Sequence, residues 1–171
     1  PKVDEVFGLK KEGIDFDSFY KFANEVQASF IRTDADELTY PIHVLIRYEL
    51  EKEIFSNPDE KTDTDKLAKK WADKYEEYLG IRPETYKKGI LQDVHWAEGL
   101  FGYFPSYALG TAYAAQIYNA INERVDISKE LEKGEFSKIN DILREKIHKY
   151  GKLKNPKELI LNMTGKTFDS K

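Results

Sequence analysis

The sequence predicts a mainly α-helical protein, and three observations carry that expectation. Apolar residues recur every three or four positions over several segments, helix start and stop signals bracket those segments, and alternating runs long enough for a strand are scarce. From about Asp17 to Ile31, Phe19, Phe22, Ala23, Val26 and Phe30 fall near helical spacing, with Asp15 or Asp17 able to cap the start. From about Thr39 to Phe55, Pro41 suits a first turn, and Ile42, Leu45, Ile46, Glu49, Leu50 and Ile54 keep a 3.6-residue rhythm. A polar, turn-prone stretch from Ser56 to Thr64 precedes a helix over Leu67 to Leu79 that Gly80 can end. Ile81 to Gly102 reads as a long irregular connection, and such loops in compact domains tend to be functional. Beyond it the pattern predicts a buried helix from Pro105 to about Asn122, a short one over Ser128 to Lys133, a longer one over Phe136 to Tyr150, and a last one over Pro156 to Met163.

A chain of 171 residues fits one helical domain spanning 1–171, able to bury roughly 70% of its unfolded surface. Charged residues make up 34% and hydrophobic ones 40%, a globular rather than a disordered composition. Well-mixed charges summing to −4 give no electrostatic case for nucleic acid or an anionic membrane. Gly99 to Asn122 carries no charge and is long enough to span a bilayer, but Pro105, Ser106, Gln116, Asn119 and its tyrosines and threonines point to a core helix instead. The absence of cysteine excludes disulfides and thiolate metal sites and suits a reducing cytoplasm. Beginning at Pro1 with neither an initiating Met nor a signal segment, the chain is expected to be a piece of something longer.

Chemistry concentrates in Gly89-Ile-Leu-Gln-Asp-Val-His-Trp96 and the following Phe101-Gly-Tyr-Phe-Pro-Ser-Tyr-Ala-Leu-Gly110. Here Asp93, His95, Trp96, Tyr103 and Tyr107 stand among glycines that allow close backbone approach. In His95 a carboxylate at Asp93 can orient the imidazole and the Trp96 indole can exclude water, which favours function. His43 shares a helix face with Arg47, where a structural hydrogen bond is favoured over catalysis, and His148 reads as surface. Arg32 sits at a turn with Asp34, Asp36 and Glu37; spacing leaves a local salt bridge and a fork for a carboxylate equally open. Tyr103 and Tyr107 either pack or donate to an oxyanion. His95 and Glu98 offer two metal ligands without a nominable third, and neither a His-Glu-x-x-His helix, a Gly-x-Ser-x-Gly elbow nor a phosphate-binding glycine loop occurs.

Two of these stretches together resemble the M32 metallocarboxypeptidases, which include thermostable carboxypeptidases of bacteria and archaea. Ile31-Arg-Thr-Asp-Ala-Asp36 is similar to the family's IRxxAD motif and Gly89 to Trp96 to its GxxQDxHW motif, each at every specified position. The flanks Asp36-Glu-Leu-Thr-Tyr-Pro-Ile-His43 and Phe101 to Gly110 agree, so the resemblance covers about Phe19 to Ile160. It implies a mostly helical, deep-grooved, zincin-like peptidase that removes single residues from peptide C-termini with a bound zinc or cobalt ion. The His-Glu-x-x-His helix, with its general-base Glu, and a later metal-binding Glu would lie N-terminal to Pro1. This chain would then be a C-terminal portion with the substrate-recognition side of the cleft, no metal ligand and no activity alone. By the same resemblance Arg32 would grip the terminal carboxylate of a peptide substrate, and His95 with Tyr107, or Tyr103 as the alternative phenol, would donate to the substrate carbonyl or oxyanion. Asp93 would orient His95, Gln92 would contact peptide backbone, Trp96 would wall the pocket, and the whole enzyme would be a homodimer. The competing expectation is a non-catalytic helical interaction module, or one subunit of a split enzyme.

Overall fold

The computed structural model describes residues 2–56 and 63–169, and among them it holds helices, turns and no strand. The helices are α1 (Lys2–Phe7), α2 (Phe16–Ala23), α3 (Tyr40–Ser56), α4 (Thr64–Leu79), α5 (Pro105–Asn122), α6 (Ile127–Lys133), α7 (Ser137–Lys146) and α8 (Pro156–Thr164), with 3-10 turns at Arg32–Asp34 and His148–Tyr150. They fall into two compact units, Pro1–Pro105 and Ser106–Lys171.

The first unit is organised by α3 and α4, which pack against each other. Ile42, Ile46 and Leu50 recur every four residues, so they share one side of α3, where Ile46 and Leu50 form a core with Trp71 and Tyr75 of α4 and Ile90 of the following loop. The Asp63 side chain caps α4 by accepting from the amides of Asp65 and Lys66, and Gly80 ends it at φ 69°, a left-handed conformation that costs glycine no steric penalty. The predicted rhythm of α3 holds except at Leu45, which is exposed. The turn-prone stretch predicted over 56–64 lies for its greater part outside the described residues.

The helix expected over 17–31 stops at Ala23. Asn24 donates from its side chain to the Tyr20 carbonyl, closing the last turn, and the chain beyond it turns to distant partners. The Gln27 amide donates to Asp36, and the Phe30 carbonyl accepts from Gln92, so tertiary bonds replace helical ones. The sequence periodicity missed α1, whose six residues are too few to display one.

The second unit closes around Ala120, Ile121, Ile127 and Met163, with Ile139, Ile142 and Leu143 of α7 packed against them. Asn155 and Glu158 form a reciprocal capping box at the start of α8. The helix expected over 136–150 breaks at Ile147, where the Asn162 side chain donates to the Lys146 carbonyl, and a 3-10 turn follows. α5 has the predicted extent but not the predicted burial: only Ala120 and Ile121 are buried, while Leu109 and Tyr118 are exposed. Among the described residues no helix is long and apolar enough to cross a membrane.

Truncating Leu50 to Ala should destabilise the chain by about 2–5 kcal/mol, through lost transfer energy and an unfilled cavity. Truncating Leu153, which is 88% exposed, should change stability by less than about 0.5 kcal/mol. Urea unfolding of both variants checks the contrast.

Candidate functional site

The first unit contains a buried polar cluster built from three separate segments. The four-residue spacing that gives α3 its apolar side also puts His43, Arg47 and Glu51 on one stripe, and all three are buried. Arg32 enters from the 3-10 turn before α3, and Gln92 and Asp93 enter from the irregular loop. Asp93 joins them: its Oδ1 accepts from Arg32 Nε at 2.9 Å and Nη2 at 2.8 Å, while its Oδ2 accepts from Arg47 Nε at 2.7 Å. Arg47 Nη2 also lies 2.6 Å from that Oδ2. Arg32 Nη1 donates to the Tyr40 hydroxyl at 2.9 Å. Burial pushes the Asp93 carboxyl up, but the charge of Arg47 and the hydrogen bonds from both arginines outweigh it and hold the group below the usual carboxylate range.

Gln92 ties the same segments through its amide. Its Oε1 accepts from the Arg32 backbone N–H at 2.9 Å and from Arg47 Nη2 at 2.8 Å, and its Nε2 donates to the Phe30 carbonyl at 2.9 Å. Nε2 also lies 3.3 Å from the Tyr75 hydroxyl, which Arg47 Nη1 approaches to 3.4 Å. Burial raises the Tyr75 pKa, so the phenol keeps its proton. With donors from Arg47 and Gln92 directed at its oxygen, that proton is directed to His43 Nδ1, 3.0 Å away. His43 is therefore the neutral tautomer protonated at Nε2, an atom buried without a hydrogen-bond partner. The structure gives His43 the structural bond that the sequence favours.

A second anchor holds the loop that carries His95. Glu51, one turn beyond Arg47, accepts from the Trp96 indole N–H at 2.7 Å and from the Gly102 amide at 3.1 Å. Gly102 has φ 73°, so a side chain at this turn would be strained. At the loop's other end, a Cβ on Gly89 would approach the Thr85 carbonyl to 3.1 Å. His95, 8% exposed, packs against Phe104 at 4.5 Å and Tyr103 at 5.6 Å between ring centroids. Tyr107 lies in the first turns of α5, half-buried, within the second unit.

Several sequence expectations change accordingly. Arg32 pairs with Asp93, 61 residues away, rather than with Asp34, Asp36 or Glu37. Asp36 instead accepts from the amides of Gln27, Leu38 and Thr39, fixing the turn into α3. Asp93 spends its bonds on the two arginines, Oδ1 on Arg32 and Oδ2 on Arg47, rather than on orienting His95. Gln92, expected against substrate backbone, has both ends of its amide engaged within the chain. Trp96 is an anchor, bonded to Glu51 and packed edge-on against Trp71. Tyr40, Tyr75 and Glu51 escaped the sequence reading; the signal available for Glu51 was its place two turns beyond His43 on a helix with an apolar neighbouring face.

This architecture matches a known family over its whole length: the family model described as Carboxypeptidase Taq (M32) metallopeptidase covers residues 1–171. The chain belongs to the M32 family. It is 49% identical over 169 residues to Carboxypeptidase 1 of Bacillus subtilis strain 168, covering 98% of this chain and 33% of that protein. Thermostable carboxypeptidase 1 of Pyrococcus furiosus is 40% identical over 175 residues, covering 98% of this chain and 34% of that protein. Among solved structures, one described as the BsuCP crystal structure superposes with a TM-score of 0.88 at 48% identity, over 98% of this chain and 33% of its own. The M32 carboxypeptidase of Deinococcus radiodurans R1 gives 0.87 at 35% identity, over 98% and 34%. The chain thus spans about a third of the length of these M32 relatives.

M32 proteins are metallopeptidases, yet among the described residues no group of three His, Cys, Asp or Glu side chains could hold a metal ion. Among the described residues the donors do not fit a divalent metal, and the His95 and Glu98 pair gains no third ligand there.

The His43 environment makes a pH prediction. Burial, then the charges of Arg47 and Arg32, lower its pKa from 6.5 to about 4, against the opposing pull of Asp93 and Asp36. The unfolded chain takes up this proton as pH falls through about 6.5 while the folded chain resists, so the folded state loses stability from there down to about 4. Urea unfolding at pH 7 and pH 5 should show a larger loss for the wild type than for His43→Gln. Equal losses would contradict a neutral buried imidazole.

Proposed function

We propose that this chain is the part of a metal-dependent carboxypeptidase that recognises the free C-terminal carboxylate of a peptide, with Arg32 as the recognising group. The observation that carries the proposal is the fixed guanidinium: Arg32 is brought to the GxxQDxHW loop and held there by Asp93 on one edge and Tyr40 on the other. A planar cation held in place loses little freedom when it meets a carboxylate, and the pairing is charge-assisted. A substrate lacking that charge leaves the desolvated site unmatched, which selects for chain ends.

His95 and the Tyr103 phenol are the groups this proposal assigns to the substrate carbonyl and the charge that develops on it during hydrolysis. Support for His95 comes from its near-complete burial and its fixed place between Phe104 and Tyr103. A divalent metal, zinc or cobalt, would supply an activated water in the complete protein, with ligands other than the described residues of this segment. Gln92, Asp93 and Trp96 act by positioning Arg32 and the loop.

Two outcomes follow. Purified alone and supplied with zinc or cobalt, the chain should release no C-terminal residue from peptides, and release above a metal-only control would overturn its assignment as a recognition segment. In the complete protein, Arg32→Ala should lower kcat/KM by about 10- to 100-fold for free-carboxylate peptides, the loss of one charged hydrogen-bonding partner. Amidated peptides should lose far less; equal losses on the two would make Arg32 structural.

A further inference from the structure

Arg47 is fully buried, at 0% exposure, yet takes no part in the chemistry assigned above. All three of its nitrogens are bonded within the chain: Nε donates to Asp93, Nη2 to Gln92, and Nη1 to the His43 carbonyl and the Tyr75 hydroxyl, while Nη2 also lies 2.6 Å from Asp93 Oδ2. Its guanidinium lies over the Trp71 ring at 4.6 Å and the Phe104 ring at 5.3 Å. A side chain so buried, with every nitrogen already bonded, is not placed to meet a ligand itself. Burying a guanidinium is costly, and an apolar side chain of similar volume often packs at least as favourably. What an apolar side chain would not supply is charge.

The charges decide what the cluster can bind. Asp93 and Arg32 by themselves form a neutral pair, and an incoming carboxylate would meet the Asp93 anion beside the Arg32 cation. With Arg47 on the opposite oxygen, the three groups sum to one positive charge. We propose that Arg47 is a positioning residue for carboxylate recognition: it offsets the Asp93 charge, so that Asp93 can fix Arg32 without neutralising it. The division of oxygens supports this, since Oδ1 serves Arg32 and Oδ2 serves Arg47. The inference rests on the reading of Arg32 as the recognising cation.

The test uses the complete protein, with affinities for L-phenylalanine and L-phenylalaninamide measured by calorimetry and the acid-over-amide preference as the readout. Arg47→Met should reduce that preference by about 10- to 100-fold, as expected when a buried charge partner is removed. Adding Asp93→Asn to the Arg47→Met variant should bring the preference back to within about threefold of the wild type, because the anion left without an offset is removed and the cluster again sums to one positive charge. A merely structural Arg47 predicts no recovery from that second change, and that result would overturn the inference. Should Arg47→Met alone fail to fold, two comparisons still decide. Arg47→Lys, which keeps the charge, should retain the preference within about threefold, and the double variant should match the wild type within the same margin; a tenfold loss in either overturns it. Arg32→Ala separates the two claims. If it leaves the preference intact the reading of Arg32 fails, whereas loss in Arg32→Ala with none in Arg47→Met removes Arg47 alone.

Discussion

One carboxylate, that of Asp93, is shared by two buried arginines that come from different parts of the chain. Arg32 leaves a 3-10 turn, Arg47 belongs to α3, and Asp93 lies on a loop with no regular structure of its own. Because each buried charge requires a partner, the three segments fix one another: displacing any of them would strand an ion away from water. Gln92 repeats the same tie with a neutral amide, bonding both arginines and the Phe30 carbonyl. The helices beneath provide a rigid floor, with Trp71 and Tyr75 of α4 under Arg47.

Glu51 extends the arrangement one turn further along α3. It bonds the Trp96 indole and the Gly102 amide, setting the far side of the loop as Asp93 sets the near side. His95 lies between these anchors, packed against Phe104 and Tyr103. The backbone bonds within this loop are local turns, such as Gln92 N–H to the Gly89 carbonyl and Leu100 N–H to the His95 carbonyl, and side chains tie those turns to α3.

Helix extent was legible where apolar spacing and caps agreed. α3, α4, α5 and α8 begin and end within a few residues of the positions that Pro41, Gly80, Pro105 and Pro156 mark. Legibility failed where a side chain from elsewhere took over a backbone group, as Asn162 does at Lys146 and Gln92 at Phe30. The same limit governed the site. The residue types of the loop announced chemistry, and the motif resemblance pointed to the family, but the pairing of Arg32 with Asp93 rather than a nearby acid depends on a contact 61 residues distant. Arg47 carried only the hint that it shares a face with His43. Its role emerges when its donors are counted in three dimensions.

As an M32 segment spanning about a third of its relatives, the chain supplies fixed cations and packed aromatics without a metal-binding donor set among its described residues. The central claim is that Arg32, held by the shared Asp93, meets the substrate's terminal carboxylate. A crystal structure of the complete protein with a bound amino-acid product tests this most directly. The account predicts a product carboxylate oxygen within hydrogen-bond distance of the Arg32 guanidinium, with Asp93 still bonded to Arg47. A carboxylate held elsewhere, with Arg32 engaged only by Asp93 and Tyr40, would contradict it.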